Sequence, residues 1–279
     1  MRVTGASPSK GGVMKKIGII GMGNMGEAIL KALLQTGAQK TSIFCAETKQ
    51  ARASLILKAY GMKCYGNPEE VVKKTDYLIL AVKPQDSKTV LQAITPLLTE
   101  KQVLISIMAG ITTSNILSIL GKAVKAVRIM PNICVKVGEG AMGLTSNKMV
   151  GTDDVEAVKI MFSPMGKIVE VGEELMDAIT ALGGSGPAFV LLFLEAMIDA
   201  GVKLGIPRDK SAIISSQVMK GTIKMLESES LHPTLMREMI TSPGGTTIAG
   251  LATLEQGAFR GTVIRAIEDA CKRSKELSL

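Results

Sequence analysis

The sequence is poor in aromatic residues and in histidine. Phe, Tyr and Trp make up 3% of its 279 residues, Trp does not occur, and His232 is the single histidine. His232 stands before Pro233 and outside every motif, so we interpret it as a surface or helix-capping residue. A 2-hydroxyacid dehydrogenase needs a His or Lys paired with a carboxylate for proton transfer. Lys83 is the one candidate for that role, and no such pair is evident.

Cysteines are few and widely spaced along the chain. The four of them form no CxxC pair and no Cys/His spacing typical of zinc ligands, so the sequence indicates neither a disulfide framework nor a metal site. This is the pattern of free thiols in a reducing cytosol. The four positions are Cys45, Cys64, Cys134 and Cys271.

Nucleic acid and membrane are not expected as partners. The formal net charge is +8, but the basic residues are dispersed and no nucleic-acid motif occurs, so a solvated basic surface that attracts a phosphorylated cofactor explains the charge. No apolar stretch approaches the ~20 residues of a membrane span. Residues 1–14 are rich in Gly and Ser and lack the apolar core of a signal peptide. We expect a flexible N-terminal extension there, with Met14 as an alternative start.

A glycine-rich turn follows the first apolar run of the chain. The run at 16–20 leads into Gly21-x-Gly23-x-x-Gly26 and then into a helical pattern. The first glycine permits the tight turn, the second lets the backbone approach a pyrophosphate, and the third allows close packing of helix on strand. This context predicts dinucleotide binding rather than a purely structural turn. The residues assigned to it are Gly21, Met22, Gly23, Asn24, Met25 and Gly26.

Residues 15–172 alternate short apolar runs with helical stretches, which predicts an α/β, Rossmann-like domain with a mostly parallel sheet and helices on both faces. The expected strands are 16–20, 41–45, 62–65, 76–82, 103–107 and 124–130, with two more near 141–145 and 167–171. Ligands of such sheets bind beyond the carboxyl ends of the strands. The loop residues expected to line the cofactor cleft are Ala81, Val82, Lys83, Pro84, Ala109, Gly110, Pro131 and Asn132.

Residues 173–279 show helical periodicity only, and they predict an all-α domain. Ser185 and Pro187 form a helix start, with the hydroxyl near the N-cap. The helix that follows, 188–204, is apolar nearly all round and therefore needs to be buried. A small helical domain offers limited cover for it. We therefore expect a homodimer formed through these helices, with further assembly possible.

A second glycine-rich segment, Ser242-Pro243-Gly244-Gly245-Thr246-Thr247, precedes the last helices. Its proline and glycines end one helix, and its hydroxyls can cap the next, whose first N–H groups lack partners and suit a carboxylate. The alternative is an ordinary capped turn between two helices.

Together these segments resemble pyrroline-5-carboxylate reductase, which makes L-proline by reducing Δ1-pyrroline-5-carboxylate. The resemblance covers nearly everything after Met14. It rests on the glycine turn, on 81–84 (Ala-Val-Lys-Pro), 128–132 (Arg-Ile-Met-Pro-Asn), 177–178 (Asp-Ala) with 184–188 (Gly-Ser-Gly-Pro-Ala), and above all on 241–247 (Thr-Ser-Pro-Gly-Gly-Thr-Thr). It implies a Rossmann-like domain, a helical dimerisation domain and NAD(P)H as the hydride donor.

The resemblance also implies roles for single residues. Ser242, Gly245, Thr246 and Thr247 would surround the substrate carboxylate, and the Thr247 hydroxyl would lie near the ring nitrogen as the catalytic contact. The full substrate-binding set implied is Ser185, Ser242, Gly244, Gly245, Thr246 and Thr247. Two positions depart from the family: Gly183 replaces a serine near the cleft and Ile133 replaces a threonine. We expect neither to abolish activity.

Two alternatives remain open. The β-hydroxyacid dehydrogenases share the glycine turn and a helical second domain, but they require a catalytic Lys, and Lys203 lacks a nearby Asn partner. A dinucleotide-sensing or scaffold protein would not need the segment at 242–247. Reduction of a protonated C=N bond needs no strong general acid, which agrees with this histidine-poor chain.

The choice of cofactor depends on the loop after the second strand. Glu47 could hydrogen-bond the ribose 2′-hydroxyl of NADH or simply face solvent, whereas Thr48, Lys49 and Arg52 could hold the 2′-phosphate of NADPH. The resemblance favours NADPH, with NADH possible. Glu47, Thr48 and Lys49 therefore complete the predicted cofactor-binding set.

Overall fold

The computed structural model describes residues 15–277, so the predicted N-terminal extension at 1–14 lies outside the described residues. Eight strands form one sheet in the order β3-β2-β1-β4-β5-β6-β7-β8. All neighbours are parallel except β6 and β7, which are antiparallel. The strands are β1 Ile17–Ile20, β2 Ile43–Ala46, β3 Cys64–Tyr65, β4 Tyr77–Leu80, β5 Val103–Ser106, β6 Lys125–Met130, β7 Gly140–Ser146 and β8 Gly166–Glu170. The predicted α/β fold class is confirmed.

The central strands are buried on both faces, which explains why their sequences are continuous apolar runs. Every residue of β1, β4 and β5 is buried. Burying a single Leu or Ile side chain stabilises the fold by about 1.5–3 kcal/mol, so each apolar residue of these strands contributes to the stability of the sheet.

Helices cover the two faces of the sheet. Apolar residues of α1, α2 and α6 pack in one core cluster, and those of α3, α4 and α5 pack in the other. These helices are α1 Asn24–Gln35, α2 Gln50–Tyr60, α3 Glu69–Val72, α4 Ser87–Ile94, α5 Thr113–Leu120 and α6 Thr152–Phe162.

The remaining chain is helical, as predicted. The helices are α7 Met176–Ile179, α8 Gly186–Lys203, α9 Arg208–Glu229, α10 Pro233–Met239, α11 Thr246–Gln256 and α12 Phe259–Leu277. A π-helical turn, Thr180–Gly184, joins α7 to α8.

By compactness the chain divides into a sheet unit and a helical unit after Gly184 rather than at the predicted 172/173 boundary, and the described residues 274–277 belong to the sheet unit. Packing explains the difference. A Cβ on Gly143 of β7 would lie 2.6 Å from Cγ2 of Ile179, so α7 packs directly on the sheet. Ser274 also donates a 2.6 Å hydrogen bond to Asp177.

The expectation that no apolar stretch approaches the length of a membrane span is wrong by length and composition. Because the π turn continues into α8, helical structure runs for 31 residues, from Glu173 to Lys203. An 18-residue stretch within it has a mean hydropathy of 1.6. The apolar side chains of α8 are exposed in the single chain, including Val190, Leu191 and Leu192.

Candidate active site

The three glycines of the turn meet three different steric demands. Gly21 has a φ of +93° and a Cβ there would lie 2.8 Å from the Ala81 carbonyl oxygen. A Cβ on Gly26 would lie 2.0 Å from the Gly21 carbonyl oxygen, whereas one on Gly23 would meet nothing within 4 Å. The open space beside Gly23 leaves its backbone accessible to a ligand, which is what the motif requires for a pyrophosphate, and the binding itself stays a prediction. Asn24, Met25 and Gly26 form the first turn of α1, whose N–H groups suit an anion.

Side chains from β2 and α2 hold this turn. Glu47 directly follows β2, and its carboxylate accepts hydrogen bonds from the backbone N–H of Met22 at 3.0 Å and of Lys49 at 2.9 Å. Arg52 on α2 donates to the Met22 and Gly23 carbonyl oxygens and to Glu27. Glu47 therefore does not simply face solvent, and Arg52 contacts both the turn and Glu27. Thr48 and Lys49 are exposed beside them.

The other predicted cofactor loops follow the carboxyl ends of β4, β5 and β6, as expected. The Ala81 N–H donates to Ile20 at 2.8 Å, which places the loop of Ala81, Val82, Lys83 and Pro84 beside the glycine turn. Ala109 and Gly110 follow β5, and Gly110 has a φ of +73°. The topology reverses between β1 and β4, and in such sheets that reversal marks the ligand crevice.

Asn132 is buried after β6 and joins three segments. Its amide nitrogen donates to the Gly183 carbonyl oxygen at 3.0 Å, and its amide oxygen accepts from the N–H groups of Cys134 and Ala141. Because both amide atoms bind protein, the side chain shapes the loop that also contains Pro131.

In the helical unit, the segment at 242–247 leads into α11, which begins at Thr246. Gly244 has a φ of +67°, and the N–H of Gly245 donates to Ser242 at 3.1 Å. Gly245 is the N-cap, and a Cβ there would lie 2.3 Å from Oγ of Ser242. The prediction that a hydroxyl of Ser242, Thr246 or Thr247 caps this helix is wrong, because the N-cap position is a glycine and no side chain makes the capping bond.

Ser185 makes no capping hydrogen bond at the start of α8 either. Its backbone is already helical, with φ of −86° and ψ of −26°, because the π turn runs directly into α8. An extended N-cap conformation would be needed for the hydroxyl to reach back to the helix. In contrast, His232 caps α10 by accepting from the Thr234 N–H at 3.3 Å, which confirms its predicted capping role.

Comparison with known proteins decides the family. The family profile described as pyrroline-5-carboxylate reductase dimerisation matches residues 173–277, and the profile described as NADP oxidoreductase coenzyme F420-dependent matches 16–110. The pyrroline-5-carboxylate reductase of Synechocystis sp. is 39% identical over 267 residues, covering 94% of this chain and 98% of the relative. That of Arabidopsis thaliana is 36% identical, covering 94% and 95%. The chain belongs to the pyrroline-5-carboxylate reductase family.

Solved reductase structures agree. The Coxiella burnetii pyrroline-5-carboxylate reductase superposes with a TM-score of 0.92 at 32% identity, covering 96% of this chain and 100% of that one. The Plasmodium falciparum enzyme, solved with NADP bound, gives 0.83 at 34% identity, covering 95% and 98%. These findings confirm the resemblance seen in the motifs. The family is an oxidoreductase family that uses NAD(P)H.

The structure also contains a charged cluster that the motifs did not assign. Arg128 on β6 is 2% exposed, and its Nη1 contacts Oε1 of Glu173 at 2.7 Å. The other Glu173 oxygen accepts from the Thr113 hydroxyl at 2.7 Å. A charged residue inside the apolar run of a central strand was the sequence signal for this cluster. Among residues 15–277, no group of three or more His, Cys, Asp or Glu side chains is placed to hold a metal ion.

Proposed function

We propose that this chain reduces Δ1-pyrroline-5-carboxylate to L-proline with NAD(P)H, the last step of proline biosynthesis. The observation that carries the proposal is the match of nearly the whole chain to named pyrroline-5-carboxylate reductases at 35–39% identity. The geometry of the glycine turn supports it, because the open side of Gly23 and the first turn of α1 suit a dinucleotide pyrophosphate.

We infer that the sheet unit holds the cofactor through the loops that follow β1, β2, β4, β5 and β6. When bound, NAD(P)H supplies a hydride to the carbon of the C=N bond, and the electron pair of that bond's π component passes to nitrogen. The residues proposed for cofactor binding are Gly21, Met22, Gly23, Asn24, Met25, Gly26, Glu47, Thr48, Lys49, Ala81, Val82, Lys83, Pro84, Ala109, Gly110, Pro131 and Asn132.

The helical unit is proposed to hold the substrate carboxylate at the start of α11. The N–H groups of its first turn provide donors for an anion, and Gly244 leaves open space beside the backbone. Thr247, half-buried in this turn, then offers its hydroxyl to the ring nitrogen. Because the iminium nitrogen is already protonated, hydride transfer needs no further proton. The proposed set is Ser185, Ser242, Gly244, Gly245, Thr246 and Thr247.

We further propose that α8 is buried in a homodimer rather than in a membrane. The dimerisation profile matches the region that contains α8, and its exposed apolar side chains need a cover. The same proposal includes a cytoplasmic location, in which the cysteines are free thiols. It also includes assembly of the dimers into a larger homo-oligomer.

The experiment that tests the reaction is the oxidation of NADPH and of NADH by purified protein in the presence of pyrroline-5-carboxylate, with proline measured as product. We expect stoichiometric proline formation. A 3-hydroxyacid offered with the oxidised cofactor is the matched control and is expected to give no turnover. Turnover of the hydroxyacid alone would identify the alternative dehydrogenase class, and cofactor binding without either reaction would identify a nucleotide sensor.

A further inference from the structure

Both polar backbone groups of Met22, a residue of the glycine turn, are held by side chains. Its N–H donates to Oε2 of Glu47 at 3.0 Å, and its carbonyl oxygen accepts from Nε of Arg52. Nη2 of Arg52 also contacts the Gly23 carbonyl oxygen at 3.2 Å. Two side chains from the second strand–helix unit therefore fix the conformation of a turn that belongs to the first.

Arg52 has a second task at the same place, because it forms an ion pair with Glu27. Glu27 lies in the first turn of α1, and its other carboxylate oxygen accepts from the Tyr60 hydroxyl at 3.0 Å. Burial acts to raise the pKa of Glu27, but the hydrogen bonds from Arg52 and Tyr60 outweigh it and hold the pKa below its usual value. Glu27 is thus kept ionised beside the helix start that would receive the pyrophosphate.

An uncompensated carboxylate at that helix start would repel a pyrophosphate, since like charges at short range disfavour binding. Arg52 removes this repulsion through the ion pair and also holds the turn that leads into this helix start. Both effects act on the part of the cofactor that NADH and NADPH share. Neither involves the 2′-phosphate.

We propose that Arg52 is a positioning residue for the cofactor, which holds the glycine turn and neutralises Glu27, and is not a ligand for the 2′-phosphate of NADPH. This inference rests on the proposed use of NAD(P)H. It corrects the expectation from sequence that Arg52 is free to hold that phosphate. The juxtaposition behind it is one guanidinium bound to two carbonyl oxygens of the turn and to the Glu27 carboxylate.

The test is a fluorescence titration of wild-type protein and Arg52→Gln with NADH and with NADPH, in the absence of substrate. We expect the Kd for both cofactors to rise by the same factor, about ten- to a hundredfold. The double variant Arg52→Gln with Glu27→Gln should recover part of the loss, because the unpaired carboxylate is gone. A merely structural role would not produce this recovery. Lys58→Gln, an exposed change on the same helix, is the matched control and should leave both Kd values unchanged.

Two outcomes overturn the proposal. A loss confined to NADPH identifies Arg52 as a 2′-phosphate ligand, and unchanged affinity for both cofactors shows that neither the turn nor Glu27 depends on it. If Arg52→Gln does not fold, Arg52→Lys is titrated instead. Lysine keeps the charge but lacks the several N–H donors of the planar guanidinium, so we expect a smaller loss of affinity that is equal for NADH and NADPH. Because substrate is absent, failure to reduce pyrroline-5-carboxylate would not affect the result.

Discussion

Thr247 is the residue on which the proposed chemistry depends most directly. We expect Thr247→Ala to lower kcat/KM for pyrroline-5-carboxylate by roughly 10- to 150-fold, because a hydrogen bond to a charged group contributes about 1.5–3 kcal/mol. The affinity for NAD(P)H should hardly change. Steady-state kinetics and a cofactor titration on the purified variant measure the two effects.

Thr247→Ser is the control for this prediction, because it keeps the hydroxyl and should keep most of the activity. Undiminished kcat/KM for Thr247→Ala would place the substrate elsewhere. Complete inactivity of a folded Thr247→Ala protein would mean that the hydroxyl carries a proton in the reaction, a larger role than the one proposed.

Glu47 provides a second prediction at this scale. Its carboxylate lies at the end of β2 and contacts the glycine turn, where an acidic group repels a 2′-phosphate. Glu47→Ser should therefore shift the ratio of kcat/KM values towards NADPH by about tenfold or more. Gln50→Ser, at an exposed position nearby that lies outside the proposed cofactor-binding set, should leave the ratio unchanged. If Glu47→Ser and wild type have the same ratio of kcat/KM for NADPH to kcat/KM for NADH, the carboxylate does not face the ribose.

Much of the site could be predicted at the scale of residues, because glycine positions follow from local sterics. The strand before Gly21 and the helix after Gly26 were enough to predict the turn. The partners of Arg52 were not predictable, since they bring together α1 and α2, which are separate in sequence. Whether a guanidinium meets a phosphate or a carbonyl oxygen depends on that packing.

At the scale of elements, a polar cluster joins β4, β6 and α6. Asp154 on α6 accepts hydrogen bonds from the Tyr77 hydroxyl at 2.8 Å and from Nζ of Lys125 at 2.7 Å. Burial acts to raise the pKa of Asp154, but these two hydrogen bonds hold it below its usual value. Burial and the hydrogen bond to Asp154 raise the pKa of Tyr77.

The depressed pKa of Asp154 sets the sign of a pH effect. Its contribution to stability is present above the unfolded pKa of about 3.9 and is lost as pH falls through the lower folded pKa. We expect Asp154→Asn to lower the free energy of unfolding by about 1–3 kcal/mol at neutral pH. The difference from wild type should shrink as pH falls below about 4.

Urea unfolding at several pH values measures this difference. Asp153→Asn, at the exposed neighbouring position, is the control and should change the stability little. A gap between wild type and Asp154→Asn that stays constant with falling pH would contradict the assignment of the effect to the ionised carboxylate.

Element boundaries were predictable to within a few residues, because buried parallel strands and apolar helices have distinct periodicities. The π turn between α7 and α8 was not predictable from the sequence. Its residues, Thr180–Gly184, carry a helical pattern in sequence. Only contacts with the sheet showed that α7 packs with the first unit, which moved the compact boundary from 172/173 to 184/185.

At the scale of the whole molecule, the prediction concerns α8. Leu192 is 67% exposed in the single chain. We expect Leu192→Asp to bury an unpaired charge at the proposed dimer interface, at a cost of several kcal/mol. Analytical ultracentrifugation should then show monomer or aggregate in place of the wild-type oligomer.

Leu57→Asp is the matched control, because Leu57 on α2 is 52% exposed and lies outside the dimerisation profile. It should leave the oligomeric state unchanged. A soluble, active dimer of Leu192→Asp would place the interface elsewhere. Wild-type protein that partitions into membranes as a monomer would show that the apolar helix is covered by lipid.

The sequence by itself determined the fold class, the glycine turn and the family, because each depends on local sterics, hydrophobic periodicity or a contiguous motif. Tertiary structure alone decided which distant residues meet. Cys45 and Cys64, well separated along the chain, lie opposite each other on β2 and β3. Arg128 pairs with Glu173, and Arg52 with Glu27. These contacts join residues brought together only when the chain packs. A local pattern can show that Arg128 needs a partner, but it does not show which residue that partner is.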